Sequence, residues 1–179
     1  MQRVSIVGTS GSGKSTVGAA LARALDVPFV ELDAINHQPN WVQLPVGEFR
    51  VQVEEIASAP GWVIDGNYSS VQDLVWERAD TVVWLDYPRC VVMAQVIWRT
   101  LSRIVRRTEL WNGNRESWRS FLTLDPEESV IVWAWMHVAS NHDRYLAESL
   151  DPGRPGLRFV RLSNRDEAAA LIERSTRTS

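Results

Sequence analysis

Gly8-Thr9-Ser10-Gly11-Ser12-Gly13-Lys14-Ser15 lies between a short β-branched run, Arg3 to Val7, and a segment in which Val17, Leu21 and Leu25 recur every four residues. The octet fits G-x-x-x-x-G-K-S/T, with a strand predicted before it and a helix after it. Its glycines let consecutive backbone N–H groups turn inward around a phosphate, and the positive end of the following helix adds attraction. Gly8, Ser10, Gly11, Ser12, Gly13, Lys14, Ser15 and Thr16 are the expected cradle. In it the Lys14 ammonium bridges the outer phosphates and the Ser15 hydroxyl faces Mg²⁺. A nucleoside triphosphate, ATP above others, is the expected ligand.

Composition narrows the setting. The 179 residues suit a single domain, and the 45% apolar and 23% charged content is that of a globular chain. A net charge of −3 gives no global field for nucleic acid or an anionic membrane. The longest apolar stretch, Val130 to Met136, is short for a membrane span, and the N-terminus has no signal-like apolar core, so a cytoplasmic location is expected. A single cysteine, Cys90, and three scattered histidines argue against a disulfide framework or a zinc site. Of the 19 basic residues only Lys14 is lysine. Where any cation serves, this chain uses arginine, so Lys14 occupies a position that needs a compact ammonium.

The rest of the chain alternates strands and helices, which predicts an α/β fold with a mostly parallel sheet. Phe29 to Leu32, Trp62 to Ile64 and Thr81 to Leu85 are apolar runs ended by Asp33, Asp65 and Asp86, and Leu157 to Leu162 is a fifth strand. Ligands in such sheets bind beyond the strands' carboxyl ends, which places all three aspartates on the working face. Val46, Phe49, Val53 and Ile56 mark one helix. From Pro88 another runs, with Cys90, Met93, Ala94, Ile97, Leu101 and Ile104 as its expected core face and Arg99, Arg103, Arg106 and Arg107 roughly opposite. Thr108 to Thr123 reads as irregular. Asp125-Pro126-Glu127-Glu128 has the composition of a helix start, and Ser163 with Asp166 opens the last helix.

Asp65 is the expected support for the Mg²⁺ shell, with Asp86 its rival. A turn or cap role is the plainer alternative for both. Asp33 is suited to orienting or deprotonating an alcohol for attack on the γ-phosphate, whereas it would repel a phosphate acceptor. Arg99, Arg103 and Arg107 lead into the irregular excursion, as expected of a lid that closes over polyphosphate and supplies charge to the transferring group. Trp76, Trp84, Trp98, Trp133 and Trp135 are read as core. Trp41, Trp111 and Trp118, in loops, either stack on an acceptor or pack the lid.

With these residues assembled, the chain resembles the adenylate-kinase-like branch of P-loop kinases, and within it the small DNA topology modulation proteins. The resemblance rests on the octet, Glu31-Leu32-Asp33 with Pro39-Asn40-Trp41, Trp62 to Tyr68, Val83 to Pro88, Arg99 to Arg103 and Glu109 to Asn114. It implies a three-layer P-loop NTPase fold with a five-stranded parallel sheet in order 2-3-1-4-5. It also implies one domain over 1–179, an acceptor-binding region at about 34–60, a helical lid at about 99–125, and Mg-ATP as donor to a small-molecule acceptor. By the same resemblance Arg99 and Arg103 are the lid's adenine- and phosphate-contacting pair. Asn67-Tyr68-Ser69 stands where nucleotide kinases carry a phosphate-gripping arginine, which turns the expectation toward an alcohol or sugar-like acceptor. A nucleoside monophosphate kinase and a nucleotide-binding regulator of DNA topology are the alternatives.

Overall fold

The computed structural model describes residues 1–106, 109–114, 129–151, 153–154, 156 and 157–177. Arg107, Arg115, Trp118, Arg119 and the Asp125–Glu128 helix start lie outside them.

Five parallel strands form one sheet, β1 (Arg3–Gly8), β2 (Phe29–Glu31), β3 (Trp62–Asp65), β4 (Thr81–Leu85) and β5 (Arg158–Leu162), in the order β2-β3-β1-β4-β5. This is the order the resemblance implied. The register aligns Ile6 and Glu31 with Asp65, and Gly8 with Leu85, so the end of β1, Glu31 and Asp65 share one edge.

Alternation along β1 divides the core. Val4 and Ile6 pack with Leu21 and Leu25 of α1 (Lys14–Leu25) and Ala168 and Leu171 of α7 (Arg165–Thr176). Val7 faces the other way, onto Phe49 and Val53 of α3 (Val46–Ala57), Val71, Val75 and Trp76 of α4 (Ser69–Arg78), and Tyr145 of α6 (Val130–Ser149). Two tryptophans in this second layer satisfy their indole N–H groups internally. Trp76 donates to Ser5 Oγ at 3.1 Å, and Trp62 to the Ala57 carbonyl at 3.2 Å. Among the described residues no helix is long and apolar enough to cross a membrane.

The structure departs from the sequence expectations in several elements. Strand β2 stops at Glu31, and a short helix, α2 (Leu32–Asn36), follows at once, so Asp33 sits on a helical turn. Helix α4 was not foreseen, although Val71 and Val75 carry its buried stripe. The described part of α6 begins at Val130, where the Ser129 side chain accepts from the Val132 N–H. The buried face of α5 (Arg89–Arg106) is Val92, Val96, Thr100 and Ile104; Ile97 and Cys90 are exposed. The face is turned because Val96 packs against the glycine-rich loop, which brings half-buried Arg99 onto that loop rather than opposite the core. Trp98 and Trp135 are likewise 71% and 55% exposed rather than core, and Trp135 lies under the Arg89 guanidinium at 3.5 Å.

Candidate active site

The loop joining β1 to α1 is built from backbone. Gly11 and Gly13 have φ of +85° and +92°, a region that L side chains rarely adopt, and a Cβ on Gly11 would lie 2.8 Å from Val96 Cβ. No side chain caps α1, whose cap residue is Gly13, and its first turn holds no acid. A helix start left open in this way attracts an anion. Lys14 Nζ donates to the Thr9 carbonyl at 3.3 Å, folding the ammonium back over the loop. Arg99 Nη2 reaches Ser10 Oγ at 3.3 Å, which ties α5 to the same loop. Arg103 is half-buried one turn further along α5.

Asp65 ends β3 beside this cradle. Its Oδ2 accepts from Ser15 Oγ at 2.7 Å, while its Oδ1 is buried and has no hydrogen-bond partner among the described residues. Burial pushes the carboxyl up from 3.8 to about 6, against the pull of the Lys14 ammonium and the Ser15 bond; Asp33 and Glu31 add to the rise. A buried carboxylate with one orphaned oxygen, next to a serine hydroxyl and a lysine, fits a hydrated divalent cation held with a polyphosphate. Asp86, the rival, is committed elsewhere. It accepts from Arg161 Nε at 2.8 Å and lies 2.9 Å from His142 Nδ1, joining β4 to β5 and α6.

The end of β3 also fixes the neighbouring parts. Asn67 Nδ2 donates to the Gly8 carbonyl at 2.5 Å and its Oδ1 accepts from the Gly8 N–H at 3.2 Å, a two-bond clasp on the loop's first residue. Gly66, at φ +155°, passes so close to Leu32 that a Cβ would lie 2.8 Å from Leu32 Cβ. Tyr68 then donates its hydroxyl to Asp33 Oδ1 at 2.6 Å and meets His37 Nε2 at 3.3 Å. Burial, with Asp33's charge behind it, pushes this phenol well above its ordinary range. Asn67 and Tyr68 were read from the sequence only as the replacement of a missing arginine. Their partners lie 59 and 35 positions away, and no local pattern reports them.

A roof closes over the segment around α2. Trp111 Nε1 donates to Glu31 Oε2 at 2.7 Å, and Asn112 Nδ2 donates to the carbonyls of Ala34 and His37 at 3.2 and 2.6 Å. Buried Asn114 donates to the Gln38 carbonyl and accepts from the Trp41 N–H, both at 2.9 Å. Trp111 stacks on His37 with centroids 6.1 Å apart, and Trp41 meets the same ring edge-on at 5.4 Å. The excursion after α5 thus returns to the segment after β2. Lys14, Ser15, Asp65, Asp33 and Arg99 converge on the carboxyl end of the sheet.

The sheet order and the loop define the fold as that of P-loop kinases. A shikimate kinase family profile matches residues 10–42, the stretch from the phosphate loop through Asp33 to Trp41. The shikimate kinase of Sulfurihydrogenibium sp. (strain YO3AOP1) is 32% identical over 102 residues, a match covering 48% of this chain and 61% of that protein. Two solved structures share the fold. Shikimate kinase from Acinetobacter baumannii, in complex with shikimate, has a TM-score of 0.56 at 17% identity, with 97% of this chain and 90% of that one covered. A gluconokinase from Sinorhizobium meliloti 1021 has a TM-score of 0.50 at 20% identity, with 99% and 94% covered.

Proposed function

We propose that the chain is an ATP-dependent kinase that transfers the γ-phosphoryl group to a hydroxyl of a small alcohol or sugar-like acceptor. One observation carries this reading. The Asp33 carboxylate accepts from Tyr68 on the helical turn that the aromatic roof covers at Ala34 and His37, and its charge acts on Asp65 in the cradle. A carboxylate so placed can take the acceptor's proton.

In this reading Lys14, the open start of α1 and the amides from Gly8 to Thr16 hold the polyphosphate, and Arg99, Arg103 and Arg107 supply charge from the lid side. Ser15 and Asp65 would hold Mg²⁺, which when bound supplies neutralising charge at the β- and γ-phosphates. The acceptor O–H passes its proton to Asp33 as the new O–P bond forms. The bond between the γ-phosphorus and its bridging oxygen breaks, and that oxygen leaves with the electron pair as part of ADP. The roof excludes water, the competing acceptor.

The shikimate kinase and gluconokinase likenesses favour a polyhydroxy acceptor, and shikimate and gluconate head the compounds to try. A nucleoside monophosphate finds less support, because Asn67 and Tyr68 are spent on Gly8 and Asp33. A regulator of DNA topology finds less still. The net charge is −3, and the label rests on sequence motifs alone.

A panel of small polyols and hydroxy acids, screened for acceptor-stimulated ADP release, tests the proposal. One or more compounds should raise the release rate. Asp33→Asn should lower the stimulated rate by roughly 10²–10⁴-fold while leaving ATP affinity within about twofold. A large loss of ATP affinity in that variant would remove Asp33 from its assigned role.

A further inference from the structure

Two side chains converge on one phenol oxygen. Asp33 Oδ1 lies 2.6 Å from Tyr68 Oη and His37 Nε2 lies 3.3 Å from it. A phenol offers one proton and two lone pairs. Tyr68 donates that proton to Asp33 Oδ1. His37 can then join only by donating from Nε2 into a lone pair of the phenol oxygen.

We propose that Tyr68 is a positioning residue for the transfer reaction: its hydroxyl fixes the Asp33 carboxylate by one oxygen, leaving Oδ2 for the acceptor, and locks His37 as the Nε2–H tautomer with a bare Nδ1. The positioning role rests on the kinase reading above; the proton arrangement stands on the contacts alone. Two further observations agree with it. His37 Nδ1 is buried and has no hydrogen-bond partner among the described residues, as a lone pair awaiting a donor would be. His37 is also fixed on both sides by its ring contacts with Trp41 and Trp111, while its backbone N–H donates to the Asp33 carbonyl at 3.0 Å and its carbonyl accepts from Asn112. The bare Nδ1 is a hydrogen-bond acceptor beneath the roof, suited to a second hydroxyl of a polyhydroxy molecule and mismatched to another bare acceptor atom.

The test is ¹⁵N spectroscopy of the imidazoles in the full chain, with the His37 signals assigned by their loss in His37→Gln. The wild type should show His37 in one tautomer, protonated at Nε2 and bare at Nδ1. Tyr68→Phe keeps the ring and its edge contact with Phe49, at 5.2 Å, and removes only the hydroxyl, so His37 should relax to a mixture of tautomers. Asp33→Ala takes away the proton's destination, so the phenol should donate to His37 instead and the ring should switch to Nδ1–H. Calorimetry should find Mg-ATP binding to Tyr68→Phe within about twofold of wild type.

An Nδ1–H ring in the wild type, or an unchanged spectrum in both variants, would overturn the proposal. The wild-type spectrum decides alone should either variant fail to fold. Loss of Mg-ATP binding by the wild type would instead strike the kinase reading and leave the proton arrangement standing.

Discussion

In the ligand-free chain the Asp65 carboxyl titrates near 6, against 3.8 when it is free in the unfolded chain, because burial outweighs the help of Lys14 and Ser15. The folded state therefore holds a proton that the unfolded state has released, and stability falls as pH rises from about 4 to about 6. A difference of about two pH units corresponds to roughly 3 kcal/mol at pH 8 and to well under 1 kcal/mol at pH 4. Asp65→Asn removes that term and keeps the shape and an acceptor for Ser15. It leaves a buried amide N–H unpaired, at about 1–2 kcal/mol. The variant should be less stable than wild type at pH 4 and more stable by about 1–2 kcal/mol at pH 8, a rise in melting temperature of about 2–8 °C. Scanning calorimetry from pH 4 to 8 reads the crossing, and titration calorimetry should show that Mg²⁺ no longer strengthens ATP binding. A variant less stable by the same amount at every pH would refute the reasoning.

Gly11→Ala should lower ATP affinity by at least tenfold, since it puts a methyl group against Val96 and asks alanine for φ +85°; near-normal affinity in a calorimetric titration would mean that the loop is not held as described. Asp86→Asn should cost about 1–3 kcal/mol in a urea melt, because it frees Arg161 and His142, yet leave the Mg²⁺ dependence of ATP binding unchanged. Loss of that dependence would return Asp86 to candidacy as the metal's partner.

The phosphate loop was legible because its function requires a contiguous run of backbone, and a contiguous run is what a sequence displays. The strands were legible for a similar reason. Strands β1, β3 and β4, buried on both faces, show as apolar runs, and Asp65 and Asp86 stand at the ends of two of them. The inner face of α5 was not. Its stripe includes Thr100, and its position is set by a glycine-rich loop that leaves no apolar partner to read. Helix α4 was missed because it begins Ser69-Ser70 and carries few buried residues. The pairings of Asn67 with Gly8, Tyr68 with Asp33 and Asn114 with Trp41 join segments that only the sheet order brings together. They form most of what separates this site from a bare phosphate loop.

Calorimetric titration of the folded chain with ATP in excess Mg²⁺, beside Lys14→Ala, bears most directly on the account. The wild type should take up one nucleotide per chain, and the variant should bind at least about 100-fold more weakly, as loss of a charge-assisted phosphate contact requires. Equal affinity in the two proteins, or no heat from a well-folded wild type, would contradict it.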